Sequence, residues 1–282
     1  MSDTTENAAQ LFAEAVRIMA RLRGPGGCPW DREQNFDTIK KYTLEETYEV
    51  FDAIERRNWP DLKDELGDLL LQVLFYAQMA GEAGDFTIAD VIENLNAKLV
   101  RRHPHVFGEA EAQTSGEVLR HWDAIKQTEK AAQQRESLLD DVPRTMPAMM
   151  EAGKLGSCAA KVGFDWPEDG QASGLFAKLA EETAELQAEV VQRAQGAANE
   201  DAVAAEFGDL LFTMANLARH LQVDTETALR GTNAKFRRRF AAMERANVES
   251  VGNRGVESVS LSTLSADELE ALWQQAKQRE RE

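Results

Sequence analysis

The chain has 282 residues, 43% hydrophobic and 29% charged, which is enough apolar side chain for one large or two ordinary packed domains. Its formal net charge of −17 repels phosphate backbones and anionic lipid, so general nucleic-acid binding and membrane binding are not expected. A protein this acidic that handles phosphates needs a few placed Lys/Arg side chains or a bound cation.

Helix-type spacing of apolar residues runs almost throughout, with Leu11, Ala15, Ile18 and Leu22 as an early case. It predicts helices over 7–23, 36–57, 61–80, 87–101, 115–132, 145–160, 172–196, 199–221, 225–246 and 266–280. The breaks fall at Gly24-Pro25-Gly26-Gly27, Trp59-Pro60, Gly81 with Gly84, Pro143, Trp166-Pro167 and Gly252 to Gly255. The expected fold class is all-α. Cys28 and Cys158 form no CxxC pattern and fit two reduced thiols. Met1 to Ala20 does not resemble a signal peptide, and the longest apolar run, Leu69 to Ala77, is interrupted by Gln72 and too short to span a bilayer. A cytoplasmic location is the expectation.

The chain repeats itself. Trp30 and Trp166 stand 136 apart in short Gly/Pro/Asp-containing loops, and Glu45-Glu46-Thr47-Tyr48-Glu49 returns at that offset as Glu181-Glu182-Thr183-Ala184-Glu185. Glu65-Leu66-Gly67-Asp68 returns at 141 as Glu206-Phe207-Gly208-Asp209, and Asn96-Ala97-Lys98 returns at 137 as Asn233-Ala234-Lys235. Two tandem helical domains are expected, 1–135 and 136–282, with the polar stretch from Gln127 to Asp141 as the seam.

Each copy carries E-E-x-x-E followed on the next helix by E-x-x-D. Glu46 with Glu49, and Glu65 with Asp68, are three apart and share a helix face; Glu182 with Glu185, and Glu206 with Asp209, repeat this. The helix bearing Glu65 reads as apolar nearly all round, so its polar stripe is expected to be buried. Carboxylates that repel one another away from water call for neutralisation, and a hard divalent cation held by four of them answers that need. The plainer alternative is a solvated acidic face. No E-x-x-H occurs, and all-oxygen ligation suits Mg2+, with Mn2+ as a substitute.

Lys98 with Arg101 and Arg102, and Lys235 with Arg237, Arg238 and Arg239, form cationic stretches at matching places and are candidates to grip a triphosphate. A Trp-containing tail follows each: Trp122 to Lys126 and Trp273 to Lys277. Trp273 is a candidate platform for a nucleobase. His103-Pro104-His105 reads as a helix-ending packing element. Gly24 to Gly27 is no P-loop, since the G-x-x-x-x-G-K-[ST] order is missing.

Cys28-Pro29-Trp30-Asp31, the paired E-E-x-x-E and E-x-x-D motifs, and the N-A-K stretches followed by arginines resemble the MazG family of nucleoside triphosphate pyrophosphohydrolases. The resemblance covers most of the chain, including its tandem arrangement. It implies an all-α homodimer, completed between copies, that hydrolyses nucleoside triphosphates to monophosphates and pyrophosphate with magnesium, in housecleaning of nucleotide pools. On this reading Glu182, Glu185, Glu206 and Asp209 hold the metal, Glu181 or a ligand carboxylate such as Glu182 activates water, and Lys178, Lys235, Arg238, Arg239 and Trp273 bind substrate. The second half is favoured because Lys178 precedes Glu182 by four where the first half has Tyr42, and its Arg run is longer. The first half, structural or regulatory on the family pattern, keeps Glu45, Glu46, Glu49, Glu65, Asp68 and Lys98 as a second candidate site. A narrower dUTP/dCTP or phosphoribosyl-ATP pyrophosphatase, and a nucleotide-binding regulatory protein without turnover, are the alternatives.

Overall fold

In a computed structural model of the chain, residues 2–131, 137–252 and 260–280 are described. The expected boundary at 135/136 and most of the Gly252 to Gly255 break lie outside them. Among the described residues there are only helices, turns and loops, and no helix is long and apolar enough to cross a membrane. The chain divides into two compact units, Met1–Gln133 and Gln134–Glu282.

The first unit holds α1 (Ser2–Arg23), α2 (Pro29–Glu33), α3 (Phe36–Glu55), α4 (Trp59–Ala83), α5 (Ile88–Arg102), α6 (Pro104–Phe107) and α7 (Ser115–Ala131). Asn35 opens α3 through a capping box with Thr38, and Thr87 opens α5 the same way with Asp90. Gly84 ends α4 at φ 80°, a left-handed position that glycine takes without a Cβ penalty. α3 and α4 pack as a hairpin, and Met19, Ile39, Leu74, Phe75 and Met79 form the core against α1.

The second unit repeats the hairpin with α9 (Ser173–Ala194) and α10 (Glu200–His220), and α8 (Ala148–Ala160) packs on α10. α11 (Thr225–Gly252) pairs mainly with α12 (Ala266–Arg279). Short 3-10 turns at Leu138–Asp141 and Leu261–Thr263 precede α8 and α12.

Three expectations change. The short α2 was read as loop and α6 as a helix-ending packing element; both begin with a proline at the first helical position, which presets one turn without lasting periodicity. α11 runs past the expected end at 246 to Gly252. The apolar circumference of α4 is not buried all round: Gln72, Leu74, Phe75, Ala77, Met79 and Ala80 are buried, whereas Leu66, Leu70, Leu71 and Val73 are exposed, Leu66 by 50%. One unit is too thin to cover both sides of its central hairpin.

Each Trp loop is anchored by an arginine. In the first unit Arg23 of α1 donates to both carboxylate oxygens of Glu82 and to the carbonyls of Asp31 and Gln34, with its guanidinium 5.3 Å from the centre of the Phe75 ring. In the second, Arg219 of α10 donates Nη1 to Asp165 Oδ2 at 2.9 Å and Nη2 to Oδ1 at 2.5 Å, and His220 Nε2 lies 2.9 Å from Oδ1.

Candidate active site

The E-E-x-x-E helices α3 and α9 face the E-x-x-D helices α4 and α10 across each hairpin, so carboxylates converge from two helices. In the second unit, oxygens of Glu182, Glu206 and Asp209 lie within 4.8 Å of one another; in the first, those of Glu46, Glu49 and Glu65 do. Three oxygens at that spacing suit a hard cation of the Mg2+ or Mn2+ kind, which takes oxygen ligands and completes its shell with water and phosphate. The donor set fits a metal.

The membership differs from the expected four. Glu185 is exposed and falls outside the second group, while Glu182 is buried to 5% exposure. Glu185 is still close enough to act on Glu206: burial, then the charges of Glu185, Asp209 and Glu182, hold the Glu206 carboxyl above its ordinary range. In the first unit Asp68 lies outside the trio but acts in the same way. Burial first, then Asp68 and Glu49, push Glu46 up to about 6. Glu65 is also raised, by burial and then Glu49. Both clusters are places where adding positive charge is favourable. Glu45 and Glu181 are exposed, one position before the buried or half-buried glutamate of each copy.

The cations divide into two sets. Lys178 is in the carboxylate site: its Nζ is 2.7 Å from Glu182 and 2.8 Å from Glu181, and those bonds raise its proton affinity. It balances the buried Glu182. Arg238 and Arg239 instead bind Glu280 beyond the end of α12, at 3.0 and 2.6 Å. Trp273 of α12 packs its ring 5.4 Å from Phe236 with Arg239 over it at 5.7 Å. Lys235 is half-buried on α11, as Lys98 is on α5. The structure thus brings Glu181, Glu182, Glu206, Asp209 and Lys178 together, and places Arg238, Arg239 and Trp273 in contacts between α11 and α12.

Two groups escaped the sequence reading. Glu280 carried no signal beyond its place seven after Trp273. Asn216, two turns along α10 from Asp209, is 0% exposed; its Nδ2 donates to Phe212 O at 3.0 Å and its Oδ1 accepts from Arg219 Nε at 3.2 Å. Gly156 makes room for it, since a Cβ there would stand 1.8 Å from Asn216 Oδ1. His103, read as packing, accordingly sets its ring edge-on to Trp122 at 5.0 Å.

The family model of the MazG nucleotide pyrophosphohydrolase domain matches the chain twice, over residues 34–107 and 171–242. The first match spans the carboxylate hairpin and all of the cationic helix α5, and the second spans the carboxylate hairpin and α11 up to residue 242. The chain is 47% identical over 266 residues to a nucleoside triphosphate pyrophosphohydrolase of Escherichia coli K12, covering 94% of this chain and 96% of that protein. It is 41% identical over 272 residues to a nucleoside triphosphate pyrophosphohydrolase/pyrophosphatase of Thermotoga maritima, covering 96% and 98%. With a nucleoside triphosphate pyrophosphohydrolase of Mycobacterium tuberculosis it shares 43% identity over 157 residues, 55% of this chain and 46% of that one.

Proposed function

Because the chain belongs to the MazG nucleotide pyrophosphohydrolase family, we propose that it hydrolyses nucleoside triphosphates to monophosphates and pyrophosphate at its second unit. The observation that carries this is the convergence of Glu182, Glu206 and Asp209 from two helices beside Lys178. Glu182, Glu206 and Asp209, with Glu185 at the edge, would hold Mg2+ or Mn2+, which when bound offsets phosphate charge and draws electron density from phosphorus.

The chain's own groups supply the rest. Water attacks the α-phosphorus, the bond from that phosphorus to the bridging oxygen breaks, and pyrophosphate leaves. Glu181, exposed and held by Lys178, accepts the proton of the attacking water. Lys178 pairs with the buried Glu182 at 2.7 Å. Lys235, Arg238 and Arg239 supply positive charge to the triphosphate, the two arginines on exchanging Glu280 for phosphate, and Trp273 lines their helix.

A homodimer is part of this proposal. Phe207, Leu211, Phe212 and Met214 of α10 and Val190 and Val191 of α9 are exposed, Phe207 by 51%, and a second copy would cover them. Removal of damaged or surplus triphosphates from the nucleotide pool is the role proposed for the activity. Pyrophosphate release from a panel of triphosphates, with and without Mg2+, tests the function. Metal-stimulated release with at least one triphosphate supports it, and no release with any of them refutes it.

A further inference from the structure

The corner between α9 and α10, beside the carboxylates of the second unit, is closed by a side-chain strap. Asn199 Nδ2 donates to the Glu189 carbonyl at 2.9 Å and to Glu189 Oε2 at 2.6 Å, and Gln192 Nε2 donates to Glu189 Oε1 at 3.2 Å. We infer that Asn199 and Glu189 are positioning residues for the metal centre: they fix the start of α10 on the end of α9, which brings Glu206 and Asp209 onto Glu182 and sets the affinity for a divalent cation. The inference rests on the proposed pyrophosphohydrolase reading and adds what holds its carboxylates in register.

The two copies differ at this corner. Their offset is 136 at the E-E-x-x-E helices and 141 at the E-x-x-D helices, so the second corner is five residues longer. A longer connection is costlier to close and constrains its two helices less. Ala53 and Asn58 of the first unit stand where the second has Glu189 and Asn199. Ala53 is 0% exposed and has no polar group to offer. Asn58 caps α4 by accepting from Asp61 N, and the exposed Arg56 bridges Asp52 and Asp61 over the shorter corner.

Asn199 does the opposite of Asn58. An asparagine before a helix ordinarily accepts from the N–H groups of the first turn. Asn199 makes no such bond to α10 and turns its amide back to α9. Both of its partners there are oxygens, so only the NH2 side can face them, and Oδ1 is left buried with no hydrogen-bond partner among the described residues. A forgone cap and a bare acceptor are each unfavourable. The bonds to Glu189 are what the corner gains.

The effect reaches the cluster. Glu206 stands less than two turns into α10, so the helix carries any shift at its start to Glu206 and on to Asp209. In the first unit the trio takes two carboxylates from α3 and one from α4; in the second it takes one from α9 and two from α10. The strapped unit is the one whose second helix contributes more. Glu189 is also near enough to add its charge: burial first, then Glu185, Asp209, Glu182 and Glu189 hold the Glu206 carboxyl above its ordinary range.

The test reads the metal without turnover. The reference is the full chain carrying Glu46→Gln and Glu49→Gln, which removes two of the first unit's three clustered carboxylates. It is titrated with Mn2+ while electron paramagnetic resonance reports the free ion. Asn199→Ala and Glu189→Ala should each weaken Mn2+ binding about tenfold, the low end of what losing an outer-shell partner costs a metal site. The double variant should lose no more than either alone, since both remove the same strap. Glu189→Gln keeps an acceptor for Asn199 and should recover most of the loss, although the charge is gone. Asn58→Ala, which removes an ordinary cap, should lower the melting temperature and leave Mn2+ affinity within about twofold. Should Asn199→Ala not fold, the Glu189 pair decides. Unchanged affinity in either folded alanine variant, additive losses in the double variant, no recovery in Glu189→Gln, an equal loss in Asn58→Ala, or no Mn2+ binding by the reference chain would each overturn the inference. Strap-dependent Mn2+ binding in a chain that releases no pyrophosphate would retain it and refute the proposed function. Normal pyrophosphate release, with strap variants that bind Mn2+ like the reference, would do the reverse.

Discussion

Glu280 accepts from Arg239 Nε at 2.6 Å and from Arg238 at 3.0 Å, closing the tail of α12 onto α11. The first unit repeats the device: Glu129 accepts from Arg101 Nε at 2.6 Å and from Arg102 Nη2 at 2.5 Å, while Arg102 lies 5.3 Å over Trp122. In each copy the glutamate stands seven residues after the tail tryptophan. The arginine stretches therefore serve the fold first, by fastening the terminal helix of each unit.

Glu280→Gln should release that fastening. Amide hydrogen exchange in α12 should quicken relative to α9 and α10, and the difference should shrink in high salt, since the pair is partly exposed. If the arginines also bind triphosphate, this variant should bind Mg2+ tripolyphosphate more tightly, having lost a competitor. Exchange unchanged across α12 would show that the ion pair does not hold the helix.

Lys178 is the ammonium that balances a buried carboxylate, and a bound divalent ion would take over part of that task. Lys178→Met should lower the melting temperature without metal and enlarge the rise that Mg2+ produces. An equal Mg2+-induced rise in parent and variant would mean that Lys178 and the ion do not share Glu182.

Asp165 is held far below the usual carboxylate range, first by Arg219 and then by His220. A carboxyl depressed in the folded state adds stability above its unfolded value near 3.8, and loses it as pH falls from there towards the folded value. Asp165→Asn should thus be least stable relative to the parent at pH 6–7, with the gap narrowing below about pH 4. Urea unfolding at several pH values measures this, and a gap constant with pH would contradict the ion-pair assignment.

Gly156→Ala would drive a methyl group into the Asn216 amide. A cost of about 1–3 kcal/mol in unfolding free energy is expected, as for other overpacked sites. A neutral substitution would show that α8 and α10 shift apart easily.

The helices were readable because each buries an apolar stripe at helical spacing, and the repeat was readable because Glu and Trp motifs return at near-constant offsets. The membership of the carboxylate cluster was not. Sequence gives the shared face of Glu182 and Glu185, but only the closeness of α9 to α10 decides which one turns inward. The burial of α4 was overread, because an apolar residue such as Leu66 looks the same whether its own unit covers it or nothing does. The Asn216–Gly156 contact left no pattern at all. A lone asparagine and a glycine 60 positions earlier have no periodic relation, and they meet only because α8 packs on α10.

Pyrophosphate release measured in paired variants probes the central claim most directly. Glu182→Gln removes one ligand charge at nearly constant volume and should abolish Mg2+-dependent release while the helical circular dichroism is retained. Glu46→Gln with Glu49→Gln should leave most of the release in place, while Glu182→Gln with Glu185→Gln removes it. Full Mg2+-dependent turnover in a folded Glu182→Gln protein would contradict the account.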